Sequence, residues 1–332
     1  MQPDSTIDLS SQGLNALPAA ITSSAEVEEL YLNDNRLDTL PDSIGQMHRL
    51  RVLNLYGNLL ERVPDGIGSL SRLADLSLGH NLLAQAPDVV WRLTGLERLN
   101  LAENQITSLP EEIGSLTGLR MLDVGHNRLS VAPAAIGSLA HLKFLYLSDN
   151  HLTELPESFA RLQNLIYLNV TDNQLIEFPV PICAMEGLVE LRLYNNRITA
   201  LPNSIGNLTR LKEIYLMNNQ LENLPASIGS LTQLRRLILQ GNRLNTLPDT
   251  LGSLPHLLEL DFRFNHLTSV PESLGDLRDL RYLDLRANHL TTLPESLASL
   301  PNLEKLDLRW NKITQKSSWM LRLERQGTLV YI

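Results

Sequence analysis

The chain has 332 residues, of which 73 are leucine, 5% are aromatic and one is cysteine, and its formal net charge is −9. Nucleic-acid binders usually carry a basic stripe, and a membrane-spanning helix needs about 18 consecutive apolar residues, so the sequence favours neither function. One cysteine cannot form an internal disulfide, and the N-terminal segment lacks the basic and apolar regions of a secretory signal. We therefore expect a cytoplasmic protein.

A unit of 23 residues repeats along the chain. Its strongest mark is the pattern LxLxxNxL, and Gln12 replaces the asparagine in a degenerate first copy. Thirteen of the 17 prolines, from Pro18 to Pro294, follow the asparagine position by six residues, and eight copies carry glycine ten residues after it. Because the spacing never changes, the copies stay in register, which is typical of a repeat protein. The asparagines stand at positions 35, 58, 81, 104, 127, 150, 173, 196, 219, 242, 265, 288 and 311.

Each copy begins with a predicted β-strand. In the copy that contains Asn196, the leucines Leu191 and Leu193 alternate with Arg192 and Tyr194, and this period of two indicates a strand with one buried face. A single strand cannot bury its own leucines, so we expect the strands of successive copies to lie side by side. Residues one repeat apart then become neighbours at about 4.8 Å on the sheet.

A turn, an extended segment and a short helix complete each copy. The asparagine amide has two donors and an acceptor, which can satisfy backbone groups where the strand ends. The Leu-Pro pair then extends the chain, because proline fixes φ and disfavours helix in the residue before it. The IGxLxxL segment places apolar residues at helical spacing, which predicts one or two turns of α- or 3₁₀-helix. Stacked copies of this kind form an α/β solenoid.

The two ends of the chain complete the predicted solenoid, because terminal repeats must cover their apolar faces. Residues 1–25 form the degenerate first copy. Residues 312–332 depart from the repeat and form a C-terminal cap, with a short helix that carries Trp319 and Leu323 and a last strand. We therefore predict one domain of about 14 repeats over residues 1–332.

With LxLxxNxL, LPxxIGxL and an unbroken period, the chain resembles the leucine-rich repeat family over about residues 5–315. It is most similar to the 23-residue intracellular type found in Ras-group scaffolds and in bacterial proteins. The resemblance implies a right-handed α/β horseshoe with a concave parallel β-sheet and short convex helices or 3₁₀ turns. Four residues depart from the glycine position without breaking the register, namely Trp91, Ala160, Cys183 and Ala298.

Aromatic residues are concentrated at the predicted concave positions, which we take as those six, four, two and one residues before each asparagine. These positions hold ten of the 16 aromatic residues. Aromatic residues favour strands in general, but a solenoid does not need them on a solvent-facing surface, and Tyr and Trp are common interface anchors. The ten are Tyr31, Tyr56, Phe144, Tyr146, Tyr167, Tyr194, Tyr215, Phe264, Tyr282 and Trp310.

The densest group of these residues predicts a binding site for a protein or peptide partner, because Tyr and Arg are frequent anchors of protein interfaces. This predicted hot spot comprises Phe144, Tyr146, Tyr167, Arg192, Tyr194, Tyr215 and Met217. A second candidate lies nearer the C-terminus. This C-terminal patch comprises Phe264, Tyr282, Arg286 and Trp310.

Two charged columns run beside the C-terminal patch, two residues apart along each predicted strand. Pairing between the columns would relieve the repulsion of like charges within each column. Recognition of a charged partner would instead steer its association, and the sequence leaves both interpretations open. We call the two columns the ladder, and its members are Asp261, Asp284, Asp307, Arg263, Arg286 and Arg309.

The sequence contains no strong catalytic or metal-binding pattern. His80, Glu103 and His126 share one column, but strand spacing separates the two histidines by about 10 Å, too far for both to ligate one ion at about 2 Å. Cys183 has no matching histidine, and no phosphate-binding loop or nucleophile motif occurs. We therefore expect no catalytic residue, no metal and no cofactor.

These observations favour a non-enzymatic scaffold that binds a partner protein or peptide on its concave face. We expect it to be a monomer that binds no nucleic acid and has no membrane span. Carbohydrate or cell-wall recognition is an alternative, because tyrosine rings also stack on sugars. A bacterial effector-type recognition domain is a further alternative that the resemblance implies.

Overall fold

The computed structural model describes residues 5–24 and 26–332, so residues 1–4 and 25 of the predicted first copy lie outside the described part of the chain. The chain forms two compact units, unit 1 (Met1–Leu165) and unit 2 (Ile166–Ile332). Each unit contains parallel three-residue strands, and short helices connect consecutive strands. We describe the two units separately.

The described residues of unit 1 contain seven strands that follow one another in chain order. Helix α1 (Ala19–Thr22) follows the first strand, and a 3₁₀ helix follows each later one. The strands are β1 (Thr6–Asp8), β2 (Glu29–Tyr31), β3 (Val52–Asn54), β4 (Asp75–Ser77), β5 (Arg98–Asn100), β6 (Met121–Asp123) and β7 (Phe144–Tyr146). The 3₁₀ helices are Asp42–Gln46, Asp65–Ser69, Asp88–Arg92, Glu111–Ser115, Ala134–Ser138 and Glu157–Arg161.

Unit 2 contains eight strands, again in chain order. Helix α2 (Ser318–Arg325) connects the last two strands, and 3₁₀ helices connect the others. The strands are β8 (Tyr167–Asn169), β9 (Glu190–Arg192), β10 (Glu213–Tyr215), β11 (Arg236–Ile238), β12 (Glu259–Asp261), β13 (Tyr282–Asp284), β14 (Lys305–Asp307) and β15 (Leu329–Tyr331). The 3₁₀ helices are Val180–Ala184, Asn203–Asn207, Ala226–Ser230, Asp249–Ser253, Glu272–Asp276 and Glu295–Ser299.

The strands bury one face, as their alternating sequence predicts. Leu191 and Leu193 are 0% exposed, and so is Ile205 in the 3₁₀ helix of the same repeat. Full burial of such a side chain contributes about 1.5–3 kcal/mol. The register confirms the predicted columns, because Leu191 on β9 lies opposite Leu168 on β8 and Ile214 on β10. The other strand face of each unit is open, and we call it the open sheet face.

The repeated asparagines join one copy to the next. The amide nitrogen of Asn196 donates to the carbonyl of Leu193 at 3.0 Å and to that of Val170, in the preceding copy, at 2.9 Å. Its carbonyl oxygen accepts from the backbone N–H of Leu175 at 3.0 Å. The predicted role of asparagine at the end of the strand is therefore confirmed, and each amide also satisfies buried backbone groups of its neighbour.

Proline and glycine shape the helical side of most copies. Pro225 has extended backbone angles and immediately precedes the 3₁₀ helix Ala226–Ser230. Within that helix, a Cβ atom at Gly229 would lie 2.4 Å from the carbonyl oxygen of Thr250 in the next copy. Glycine at this position therefore allows neighbouring 3₁₀ helices to approach closely.

The C-terminal residues form the predicted helix and strand. Trp319 and Leu323 of α2 are buried, and β15 pairs in parallel with β14 so that Val330 lies opposite Leu306. That residues 1–332 constitute one domain stays a prediction. Within residues 5–24 and 26–332, no helix has the length and hydrophobicity needed to cross a bilayer.

Candidate functional site

The open sheet face of unit 2 carries five members of the predicted hot spot. Tyr167, Arg192 and Tyr215 lie on the adjacent strands β8, β9 and β10, and Tyr215 lies opposite Arg192 in the register. All five side chains are half-buried, because the leucines that alternate with them fill the core. We call this group the unit 2 patch; it comprises Tyr167, Arg192, Tyr194, Tyr215 and Met217.

Arg192 lies between two aromatic rings. Its guanidinium carbon is 5.5 Å from the ring centroid of Tyr167 and 5.1 Å from that of Tyr215, within the range of cation–π attraction. Its Nε donates to a carboxylate oxygen of Glu190 at 2.6 Å. Burial is the largest single effect and would lower the pKa of Arg192. The bond to Glu190 and the nearby Tyr167 and Tyr215 together outweigh it and raise the pKa. The patch therefore has a fixed positive charge at its centre.

A hydrogen bond from its hydroxyl fixes the position of the Tyr215 ring. This hydroxyl donates to a carboxylate oxygen of Glu213 at 2.6 Å. Burial and the nearby carboxylate both raise the pKa of Tyr215, so the phenol stays neutral. Its ring and the flanking half-buried Tyr194 and Met217 form an apolar surface with polar edges, which suits a protein interface.

Phe144 and Tyr146, the other two members of the predicted hot spot, lie on β7 of unit 1. Phe144 is 38% exposed and Tyr146 is half-buried, while Leu145 between them is fully buried. The structure therefore places both aromatic residues on the open sheet face of unit 1. Their grouping with the unit 2 patch stays a prediction from the sequence.

The structure brings three of the four members of the C-terminal patch together. The ring centroids of Phe264 and Trp310 lie 6.2 Å apart, and the guanidinium carbon of Arg286 lies 6.0 Å from the Trp310 ring centroid. Tyr282, at the start of β13, instead donates its hydroxyl to Glu304 at 2.6 Å. The sequence could not separate these positions, because the strand pattern does not show which way a long side chain turns.

The ladder pairs internally along its whole length. Arg286 contacts Asp284 on its own strand at 2.6 Å and Asp307 in the next copy at 3.5 Å. Asp307 is 0% exposed and also contacts Arg309 at 2.7 Å and Lys305 at 3.2 Å. Burial opposes ionisation of Asp307, but hydrogen bonds from Arg309 and Lys305 outweigh it and lower its pKa. The ladder is therefore a preorganised ionic network.

A polar cluster lies on the open sheet face of unit 1, where the sequence placed His80 and Glu103 in one column but did not link Tyr56 to them. The Tyr56 hydroxyl donates to Glu103 at 2.8 Å, and Nδ1 of His80 lies 2.9 Å from the other oxygen of Glu103. The Tyr56 and His80 rings also stack with their centroids 5.6 Å apart. The Tyr56 hydrogen bond is the main reason that the pKa of Glu103 is lowered. The repeat period makes His80 and Glu103 neighbours, but it does not show that the Tyr56 side chain reaches Glu103 two repeats away.

No arrangement suited to metal binding or thiol chemistry occurs in the described residues. They include no group of three or more His, Cys, Asp or Glu side chains that could hold a metal ion. Cys183 is buried, and burial raises the pKa of its thiol. A buried thiol of this kind is poorly reactive, because the thiolate is the nucleophile.

Family models match most of the chain. The model described as Leucine rich repeat matches residues 25–83, 71–129, 232–290 and 255–313, and the model described as Leucine-rich repeat region matches residues 133–220. A search of curated proteins finds no match to this chain. The repeat pattern of the sequence and the geometry of each unit thus agree with the same family.

Several solved structures are similar to the chain. An LRR protein of Leptospira interrogans has 33% sequence identity and a TM-score of 0.87, with 98% of this chain and 95% of that chain covered. An internalin of Listeria monocytogenes has 25% sequence identity and a TM-score of 0.80, with 94% of this chain and 87% of that chain covered.

A plant receptor also resembles the chain. The LRR ectodomain of an Arabidopsis thaliana membrane receptor kinase, solved in complex with Casparian strip integrity factor 2, has 27% identity and a TM-score of 0.64. The alignment covers 95% of this chain and 48% of that one. Together with the family models, the Leptospira structure decides the assignment, because it is similar over nearly the whole length of both chains. This chain belongs to the leucine-rich repeat family.

Proposed function

We propose that this protein is a non-enzymatic scaffold that binds a partner protein or peptide on the open sheet face of unit 2. Proteins of its family generally mediate protein–protein interaction. The observation that carries the proposal is Arg192, held between the rings of Tyr167 and Tyr215 on an otherwise open surface. Tyrosine and arginine are enriched among the residues that dominate binding energy at protein interfaces.

The geometry of the unit 2 patch favours binding for a second reason. Glu190 fixes Arg192 and Glu213 fixes Tyr215, so both side chains are largely ordered before a partner arrives. Binding then loses less side-chain entropy than it would with mobile side chains. The Arabidopsis receptor ectodomain named above was solved in complex with Casparian strip integrity factor 2, which supports partner binding as the role of this fold.

We also propose that the protein acts as a monomer in the cytoplasm. Its single cysteine, Cys183, is free and buried, which suits a reducing compartment. Its net charge of −9 supports a partner other than nucleic acid.

Combined substitution of Arg192, Tyr194 and Tyr215 by alanine should weaken partner binding at least about 100-fold, since each anchor of this kind contributes about 1–2 kcal/mol or more. The side chains lie outside the leucine core, so the variant should stay folded, and the loss of two cation–π contacts should lower the free energy of unfolding by about 1–2 kcal/mol. Affinity capture from native lysate, followed by titration of the captured partner, measures binding, and urea denaturation measures stability.

A matched variant carries alanine at Asn207, Arg210 and Thr232, which are exposed on the helical side of neighbouring repeats. It should capture the same partner as the wild type. Tyr146→Ala tests the open sheet face of unit 1 separately. Undiminished capture by the triple unit 2 variant would refute the site, and binding to isolated glycans without any captured protein would favour carbohydrate recognition.

A further inference from the structure

The residue before each repeated asparagine has a left-handed backbone in every copy of unit 2. Aspartate, asparagine and glycine, which tolerate this conformation, occupy four of these seven positions, at Asp172, Asn195, Asn218 and Gly241. Phe264 and Trp310 adopt it as well, with φ values of 55° and 62°. A bulky side chain in this region is rare and strained.

The repeat itself imposes the strained conformation. The backbone N–H of Phe264 donates to the carbonyl of Arg286 in the next copy at 3.0 Å. The side-chain amide of the following Asn265 is buried and donates to the backbone carbonyls of Leu239 and Phe262. Phe264 therefore cannot relax without breaking the contact between two copies, although asparagine or glycine would fit the same position without strain.

Burial does not explain why aromatic residues occupy these positions. Phe264 is 49% exposed and Trp310 is 65% exposed, and their rings lie 6.2 Å apart. Between them in the column stands only the small side chain of Ala287. The two rings thus form an aromatic surface beyond the carboxyl ends of β12 and β14, and strain of this kind concentrates at functional sites.

Cations lie on one side of this surface. The guanidinium carbons of Arg286 and Arg309 are 6.0 Å and 5.9 Å from the Trp310 ring centroid. Nε and Nη2 of Arg309 are bound to Asp307 at 2.9 Å and 2.7 Å. In the part of the chain that the structure describes, the Nη1 atoms of the three ladder arginines have no hydrogen-bond partner, so their donors are available.

The free arginine donors and the exposed rings of this region select the occupant. The three aspartates and three arginines of the ladder cancel, and so do Glu259 and Lys305 in the column beside them, so an acceptor is recognised here by the free arginine donors. A carboxylate can accept from the preorganised arginine donors, which is a strong interaction. A basic segment would meet unpaired arginine donors and ring faces that already contact cations. An aromatic side chain, in contrast, can stack on the exposed rings.

We propose that the C-terminal patch binds an acidic peptide segment that carries an aromatic side chain. The aromatic ring of the segment stacks on Phe264 and Trp310, and a neighbouring Asp or Glu accepts hydrogen bonds from Nη1 of Arg309. This site rests on the proposed function, since it also uses the open sheet face, but it shares no residue with the unit 2 patch. The two proposals can therefore fail independently.

Three fluorescein-labelled octapeptides test the proposal by anisotropy titration. The first has Asp and Glu residues around a central Phe-Trp pair, the second has alanine in place of that pair, and the third has lysine in place of the acidic residues. The wild-type protein should bind the first at least about tenfold more tightly than either of the others, and more weakly as salt is added. Equal binding of all three peptides, or no binding of the first, would overturn the proposal.

The double variant Phe264→Asn, Trp310→Asn separates binding from folding. Asparagine already occupies this position in two copies of unit 2, at Asn195 and Asn218. The variant should lose at least about tenfold in affinity for the first peptide, while its urea midpoint stays equal to the wild type or rises. The alanine variant of the unit 2 patch should bind this peptide unchanged. Unchanged affinity of the double asparagine variant would refute the site.

Discussion

Replacement of Asn219 by alanine should lower the free energy of unfolding by about 1–3 kcal/mol. The buried amide of Asn219 donates to the carbonyl of Leu193 at 3.0 Å and to that of Leu216 at 3.1 Å, and it accepts from the N–H of Ile198 at 3.0 Å. Alanine leaves the buried N–H of Ile198 without a partner, which costs about 1–3 kcal/mol. The carbonyls of Leu193 and Leu216 lose one of two donors, since Asn196 and Asn242 also donate to them. Urea denaturation of the two proteins measures the loss.

Asn223→Ala is the matched control, because Asn223 belongs to the same repeat and is exposed. Its substitution should change the free energy of unfolding by about 0.5 kcal/mol or less. Wild-type stability of Asn219→Ala would mean that leucine burial alone holds the copies together. In that case the regular asparagine spacing would need another explanation.

Asp307→Ala should lower the free energy of unfolding by about 2–3 kcal/mol at pH 7. The carboxylate is 0% exposed and lies within 3.5 Å of nitrogen atoms of Arg286, Lys305 and Arg309. Its removal leaves three cations close together without their shared anion. Thermal or urea unfolding of the variant measures the effect, and a loss below about 0.5 kcal/mol would show that solvent compensates the arginines.

The same residue predicts a pH dependence. The pKa of Asp307 is lower in the folded protein than its ordinary value, which is about 3.9. The stabilisation that the ionised Asp307 carboxylate gives the folded protein is therefore complete above a pH of about 4. It is lost as the pH falls through the folded-state pKa. The difference in stability between wild type and Asp307→Ala should narrow below this pH. A difference that stays constant down to pH of about 2 would contradict the assignment.

Much of the fold could be predicted because it depends on local periodicity. The alternation around Leu191 and Leu193 located a strand, and the repeated asparagine located its end. The fixed spacing of 23 residues then determined the register between neighbouring strands. The departure from this pattern after Asn311 predicted a helix with buried Trp319. Each of these features follows from which side of a short strand or helix is apolar.

The candidate sites were harder to predict, because they depend on the directions of long side chains. The sequence placed Tyr167, Arg192 and Tyr215 near each other but could not show the arginine between the two rings. It grouped Tyr282 with Phe264, although Tyr282 binds Glu304 instead. The strained backbone at Phe264 was also not predicted, because nothing in its local sequence favours a left-handed conformation.

The most direct test of the central claim is oxidative footprinting of the full chain with and without its captured partner. The oxidation of side chains in unit 2 is the quantity compared. Tyrosine and methionine side chains react in proportion to their exposure, so the method reports on the unit 2 patch itself. Binding to the open sheet face predicts protection of Tyr194, Tyr215 and Met217, with no change at Val180 on the helical side, which is 55% exposed. Protection confined to the helical side, with these three side chains still reactive, would contradict the account.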